Sequence, residues 1–285
     1  MSSDFLQQMA DSSAARVAAA RRAVPEAELL QRALQTPAPP KLRLHPANFD
    51  LIAELKLRSP AVGQLKSDTE DVGARVTAYA QAGAAAVSVL TEPSRFDGSM
   101  SHLETAARAL LPTRVPAMRK DFLVDPYQVI EARAAGAGGV LVILRMLPLP
   151  QSEILLQRAR ELQLFVLLEA FDERDIEQLH QLVGGRDRPH LLAGVNCRDL
   201  ATLQVVPNRL EEMAHLLPTT VPRVAESGVG SAEDARRVAA AGYELALVGS
   251  ALMQGGDPRA LAGAMLDAGR AAQRSLRAQR TMGSV

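Results

Sequence analysis

Short runs of apolar residues, each followed by a longer amphipathic stretch, recur along this chain from residue 51 onward. The apolar runs cover 51–55, 86–90, 115–118, 140–144, 165–168, 191–195, 223–225 and 245–248. Between and after them, residues 71–81, 101–110, 126–135, 149–162, 172–182, 207–216, 231–241 and 258–275 have helical periodicity and are rich in Ala and Leu. Runs that are apolar throughout, rather than alternating, belong to strands buried on both faces, as in a parallel sheet. Ala-Gly joins at Ala82-Gly83, Ala135-Gly136 and Ala241-Gly242 end three of the helices, where Gly suits the cap. Eight strand–helix units in this length predict a (β/α)8 TIM barrel of the α/β class, with an N-terminal helical extension. An open doubly wound sheet would have fewer strands and a Gly-rich first turn, whereas this turn carries Gly63 alone.

Ahead of the first run, residues 4–35 have helical character with thinly spaced apolar positions: Phe5, Met9, Val17, Val24, Leu29 and Leu30. That spacing predicts one or two peripheral helices. Residues 36–46, TPAPPKLRLHP, read as an extended linker. The expected organisation is a helical extension and Pro-rich linker over 1–48, a catalytic barrel over 49–275 and a tail over 276–285.

Composition narrows the function classes. Lys plus Arg and Asp plus Glu are equal at 32 each, so no overall field favours nucleic acid or an anionic membrane. An anionic ligand must therefore be held by a local site. Cys197 is the single cysteine, which excludes an internal disulfide and a cysteine-based zinc cluster. The N-terminal stretch has no apolar core of signal-peptide length, and the run 140–144 is far too short to span a bilayer. The expectation is a soluble, cytoplasmic protein.

The chemistry is expected where the apolar runs end, since barrels of this kind carry their active sites at the C-terminal ends of the strands. The stretch 51–60, LIAELKLRSP, places Glu54 and Lys56 two apart, so that both face one side of a strand. Lys120 follows the third run, Glu169 the fifth, Asn196 and Arg198 the sixth, and Glu226 and Ser227 the seventh, with Ser59 just past the first. Any one of these alone reads as a solvated loop residue. As a set, acids and bases recurring at one end of apolar strands read as a mouth built for acid–base chemistry. Glu226-Ser227-Gly228-Val229-Gly230 and Gly249-Ser250 follow the last two runs, and Ser231 is placed to cap the next helix. Two such loops after strands seven and eight point to a phosphate group in the ligand.

These segments resemble the indole-3-glycerol-phosphate synthase family. The matching pieces are IAELKLRSP (52–60), TEPSRFDGS (91–99), MRKDFLVDPYQVIEARAAGA (118–137), LLEAFDERD (167–175), GVNCRDL (194–200), VAESGV (224–229) and LVGSALM (247–253), in the family's order. The resemblance covers roughly residues 4–270. It implies a carboxy-lyase of tryptophan biosynthesis that converts 1-(2-carboxyphenylamino)-1-deoxyribulose 5-phosphate to indole-3-glycerol phosphate, carbon dioxide and water. No metal or organic cofactor is implied, and no nucleic-acid or membrane partner. The expected assembly is a monomer or weak homodimer.

Carried over residue by residue, the resemblance makes Lys120 the general acid at the ribulose carbonyl and Glu169 its partner in dehydration. Lys56 would neutralise an anionic part of the ligand, and Glu54 would pair with the lysines and move protons. Asn196 and Arg198 would orient the ligand, Ser59, Glu226 and Ser227 would line the pocket, and Gly228, Gly249 and Ser250 would hold the phosphate. Phe96, Phe122 and Leu141 match apolar positions around the aromatic ring. Because a free lysine is a weak acid at neutral pH, the expectation is that Lys56, as a neighbouring cation, lowers the pKa of Lys120. Two positions depart from the family pattern: Ala61 replaces a serine, and Phe171 stands where His is usual. Cys197 reads as a packing residue. Two other readings stay open from the residues alone: a related phosphate-binding barrel such as phosphoribosylanthranilate isomerase or the tryptophan synthase α chain, and an idle paralogue kept as a binding or scaffold protein.

Overall fold

The computed structural model describes residues 2–46, 49–59, 63–64, 71–184, 190–199, 202, 204–254 and 257–282, with the backbone alone at 2–4, 59, 64 and 280–282. Eight strands close into a barrel: β1 (Asp50–Leu55), β2 (Ala86–Leu90), β3 (Ala117–Lys120), β4 (Gly139–Ile143), β5 (Phe165–Ala170), β6 (Leu191–Asn196), β7 (Arg223–Glu226) and β8 (Leu245–Val248). Each strand pairs in parallel with its sequence neighbours, and β1 closes the ring onto β8 through Asp50–Leu245 to Ala53–Val248. The TIM barrel expected from the run pattern is therefore present.

Apolar residues on alternating sides of the strands sort into two separate cores. Leu51, Ala53, Val87, Val140, Val142, Val166 and Val248 face outward and pack under the helices. Ile52, Ala86, Met118, Leu141, Phe165, Leu167, Leu192, Val224 and Leu245 fill the barrel interior. The run through both faces is what a parallel sheet covered by helices demands. Phe165 fills the floor, and Gly139 exists to admit it: a Cβ there would lie 2.4 Å from the Phe165 ring.

The outer layer comprises α3 (Val72–Gln81), α5 (Met100–Leu110), α6 (Pro126–Ala134), α7 (Leu149–Glu161), α8 (Glu173–Val183), α9 (Arg209–Ala214), α10 (Ala232–Ala240) and α12 (Pro258–Met282). Short helices α4 (Pro93–Phe96) and α11 (Ser250–Gln254) follow β2 and β8. Local chemistry sets their starts. Asp125 caps α6 by accepting from the Tyr127 N–H, Gln128 reaches back to complete a capping box, and Pro126 supplies the first turn. Ser231 caps α10, as its position predicts. Gly83, Gly136 and Gly242 lie at φ 92°, 86° and 103°, the left-handed geometry their Ala-Gly signals imply.

Several boundaries differ from the pattern-based expectation. The third strand begins two residues later than the run 115–118, because Pro116 has no N–H for the ladder and only its carbonyl joins, accepting from Val87. It then continues through Arg119, a charged residue only 2% exposed, which periodicity alone would reject. The ninth helix is shorter than 207–216, starting after Asn208 at φ 61°. The last helix runs on past Ser275 to Met282. No helix among the described residues is long and apolar enough to cross a membrane.

The N-terminal residues form α1 (Ser2–Ala23) and α2 (Glu26–Gln35). They are less peripheral than their sparse pattern predicts. Leu6 and Met9 are buried in the inner core at the barrel mouth, and Val17, Leu29 and Ala33 in the outer one. A short ladder, Arg58–Ser59 against Gly63–Gln64, follows β1, and Ala61 lies outside the described residues.

Replacing Gly139 by Ala forces either the Phe165 ring or the backbone to move. Gly139→Ala is expected to lower stability by about 1–3 kcal/mol, the usual scale of overpacking. Chemical denaturation checks this, and an unchanged midpoint would refute the role given to Phe165 as the packed floor.

Candidate active site

A cavity of about 470 Å³ opens at the C-terminal ends of the strands. Glu54, Lys56, Phe96, Lys120, Phe122, Leu141, Glu169, Asn196, Arg198, Glu226, Ser227, Gly228, Gly249 and Ser250 all line it. Ser59 is the one sequence candidate not placed there: its backbone pairs with Gly63, and its side chain lies outside the described residues.

Strand alternation delivers the charged groups. Glu54 is the last inward position of β1, and Lys56 follows on the same side, its Nζ 2.8 Å from Glu54 Oε1. Lys120 ends β3 with Nζ 3.0 Å from Glu169 Oε2 and 3.7 Å from Glu226 Oε2. Two glycines make room for this cluster. A Cβ on Gly194 would sit 2.2 Å from Glu226 Oε1, and one on Gly249 would sit 2.4 Å from Glu54 Oε1 and 3.0 Å from Lys56 Nζ. Gly249 thus serves the carboxylate–lysine pair as well as the loop after β8.

The electrostatics correct one expectation. Each lysine is held by carboxylates, and the net shift of Lys120 is upward, not the lowering expected from Lys56. Burial works against the Lys120 ammonium, but Glu169, Glu226 and Glu54 outweigh it and hold its pKa above the ordinary lysine range. Burial likewise opposes the Glu54 carboxylate, yet Lys56 and then Lys120 keep it below its usual value. Glu226 goes the other way. Burial first, and the charge of Glu169 second, push it well above the carboxylate range despite Lys120. Neither of its oxygens accepts a hydrogen bond. With no hydrogen bond to hold a negative charge there, burial and the nearby Glu169 charge both favour the neutral form of Glu226.

An apolar slot faces the charges. The Phe96 and Phe122 rings lie 6.2 Å apart at 40°, and Phe5 of α1 meets Phe122 edge-on at 6.0 Å. Leu6, Ile143 and Phe171 extend the wall. Phe5, Leu6 and Phe171 were not among the sequence candidates. A Phe-Leu pair on a weakly patterned helix carries no local sign of which surface it will cover. Phe171 is held by its neighbours: its N–H donates to Asp175 at 2.7 Å, and the Arg145 guanidinium, itself bonded to Asp175, stacks 4.6 Å over the ring.

After β7, Ser227 and Gly228 take left-handed φ values of 68° and 69°. A non-glycine residue held there is strained, a feature that clusters at functional sites. Asp234 accepts from the Gly230 N–H at 3.1 Å and from the Ser231 hydroxyl at 2.8 Å, which fixes the start of α10. Asn196 Oδ1 accepts from the Arg198 N–H at 3.0 Å, ordering the turn after β6. Cys197 in that turn is buried, and burial pushes its thiol up, so it packs as expected. No cluster of three or more His, Cys, Asp or Glu among the described residues is arranged to hold a metal ion.

The sequence model of the family described as Indole-3-glycerol phosphate synthase matches residues 6–264. A relative of that name from Parafrankia sp. (strain EAN1pec) is 40% identical over 266 residues, covering 93% of this chain and 96% of the relative. Another, from Mycolicibacterium gilvum (strain PYR-GCK), is 38% identical over 270 residues, covering 94% and 96%. Among solved structures, 3-hexulose-6-phosphate synthase from Salmonella typhimurium aligns with a TM-score of 0.59 at 14% identity, over 77% of this chain and 97% of that one. Tryptophan synthase from M. tuberculosis aligns at 0.56 and 19%, over 79% and 94%. At those identities the structural likeness is one of fold alone.

The raised Glu226 gives a signed pH dependence. A carboxyl whose folded pKa lies above its unfolded value, 4.5, contributes fully to stability below that value and loses the contribution as pH rises toward the folded one. Glu226→Gln should therefore melt above the parent protein at about pH 8 and lose that advantage near pH 4. Melting curves at both pH values check it, and a difference that does not change with pH would contradict the raised value.

Proposed function

The chain belongs to the indole-3-glycerol phosphate synthase family, and on that premise we propose how its residues divide the work. The reaction is ring closure, decarboxylation and dehydration of 1-(2-carboxyphenylamino)-1-deoxyribulose 5-phosphate to indole-3-glycerol phosphate, a carboxy-lyase step of tryptophan biosynthesis.

The observation that carries the assignment of roles is the opposition, within one cavity, of a two-lysine, three-carboxylate cluster to a slot of Phe side chains. The slot formed by Phe96, Phe122 and Leu141 takes the anilino ring, and Lys56 faces its carboxylate. The loops at Gly228, Gly249 and Ser250 take the phosphate at the other end, so the ligand is stretched between two anchors. Ring closure depends on such orientation. As the carboxyl-bearing ring carbon attacks the ribulose carbonyl, the carbonyl oxygen takes the proton of Lys120. The bond to the carboxylate then breaks, carbon dioxide leaves, and its electron pair returns to the ring. Water departs next, with Glu169 moving the protons and Glu54 holding Lys56 in place. Asn196 and Arg198 orient the polyol, and Ser59 and Ser227 line its path.

The state of Lys120 shapes its use. Surrounded by carboxylates, it carries its proton throughout the neutral range, and it becomes a better donor when that negative charge falls. The same reading makes residues 1–48 a working part of the catalytic unit over 49–275, with 276–285 as a tail. It also places the protein in the cytoplasm as a monomer or weak homodimer, acting on a phosphorylated small molecule.

Mixing the purified protein with the carboxyphenylamino-deoxyribulose phosphate should produce indole absorbance. Lys120→Ala should reduce that rate by roughly 10²–10⁴-fold, the span ascribed to a general acid, with circular dichroism unchanged. Full turnover in the variant would remove Lys120 from the acid role. Absence of signal from the parent protein at every concentration would favour the scaffold reading.

A further inference from the structure

Lys120 and Phe122 both turn into the cavity, and Asp121 between them turns away onto α1 as well as bordering the mouth. The Asp121 carboxylate is fully buried and saturated. It accepts both arms of the Arg16 fork at 2.8 and 2.9 Å, Arg119 at 3.1 Å, the Thr91 hydroxyl at 2.7 Å and the Phe122 N–H at 2.9 Å. One turn earlier on α1, the buried Ser13 hydroxyl donates to the Phe122 carbonyl and accepts from Gln128 at 2.8 Å. Helix α1 therefore grips the Asp121–Phe122 segment at two points.

Charge balance makes Arg16 more than a surface partner. Arg119 divides its guanidinium between Asp121 and Glu131, the latter at 2.9 Å. Two carboxylates and one Arg leave the cluster one positive charge short, and Arg16 supplies it. Its bidentate geometry also fixes the plane of the carboxylate, which a point charge does not. Asp121 shares its backbone with the residues on either side, so fixing its side chain fixes where Lys120 Nζ and the Phe122 ring enter the cavity. The same helix carries Phe5 and Leu6 over that cavity.

We propose that Arg16 is a positioning residue for the reaction: its fork, closed on Asp121, sets the placement of Lys120 and Phe122 and registers the roof of the slot against them. The inference rests on the acid role given to Lys120 above. Misplacing a reacting group by about 1 Å can cost a factor of 10². Arg16→Gln is accordingly expected to lower kcat by at least about tenfold and to raise KM several-fold, measured well below its melting temperature. Arg16→Lys keeps the charge and loses the fork. It should recover most of the melting temperature while kcat stays more than about threefold below the parent. If Arg16→Gln does not fold, Arg16→Lys carries the test alone. A lowered melting temperature with unchanged kcat and KM, or full kinetic recovery in Arg16→Lys, would overturn the proposal. The two claims fail separately: Lys120→Ala inactive with Arg16 variants unchanged sinks only the positioning role, whereas an active Lys120→Ala sinks the premise.

Discussion

Five ionisable side chains, three acids and two bases, share one mouth at the end of the barrel, and the rest of the structure is arranged around that fact. Isolated buried charges are costly enough that they pair, or shed charge by shifting their pKa values. Both solutions are used here. Lys56 closes on Glu54 and Lys120 closes on Glu169, while Glu226, the acid left over, has its pKa pushed up by burial and by Glu169. Gly194 and Gly249 are glycines because the Glu226 and Glu54 carboxylates occupy the space a methyl group would need.

A second buried cluster lies just outside the first. Arg16, Arg119, Asp121 and Glu131 balance one another behind β3, on the opposite side of the backbone from Lys120. Strand alternation links the two clusters: odd positions of this strand serve the structural one and even positions the reactive one. Helix α1 joins both, through Arg16 behind the strand and through Phe5 and Leu6 above the cavity. A segment that looks peripheral by its sparse apolar pattern is thus part of the site.

Most of the barrel was legible because its signal is periodic and repeated. The eight runs, the Gly caps and the polar residues at the strand ends each follow from a local rule. Glu54, Lys120, Glu169 and Glu226 could be gathered from their place at the ends of strands. Three things could not be read locally. The third strand runs on through a buried Arg119, whose partners Thr91, Gln128, Glu131 and Asp121 no apolar periodicity displays. Phe5 and Leu6 gave no sign of the surface they cover. The expectation of a lowered Lys120 failed because pairing is decided in space: Glu54 pairs with Lys56, and Glu169, Glu226 and Glu54 together hold Lys120 up.

The raised pKa of Glu226 is the most direct consequence of packing these charges together, and infrared spectroscopy reads it. With glutamates carbon-13 labelled, the ligand-free protein at neutral pH is expected to show the carbonyl stretch of a protonated, buried carboxylic acid. That band should be missing from Glu226→Gln. A spectrum with only ionised carboxylates at neutral pH would contradict the account of how the mouth holds its charge.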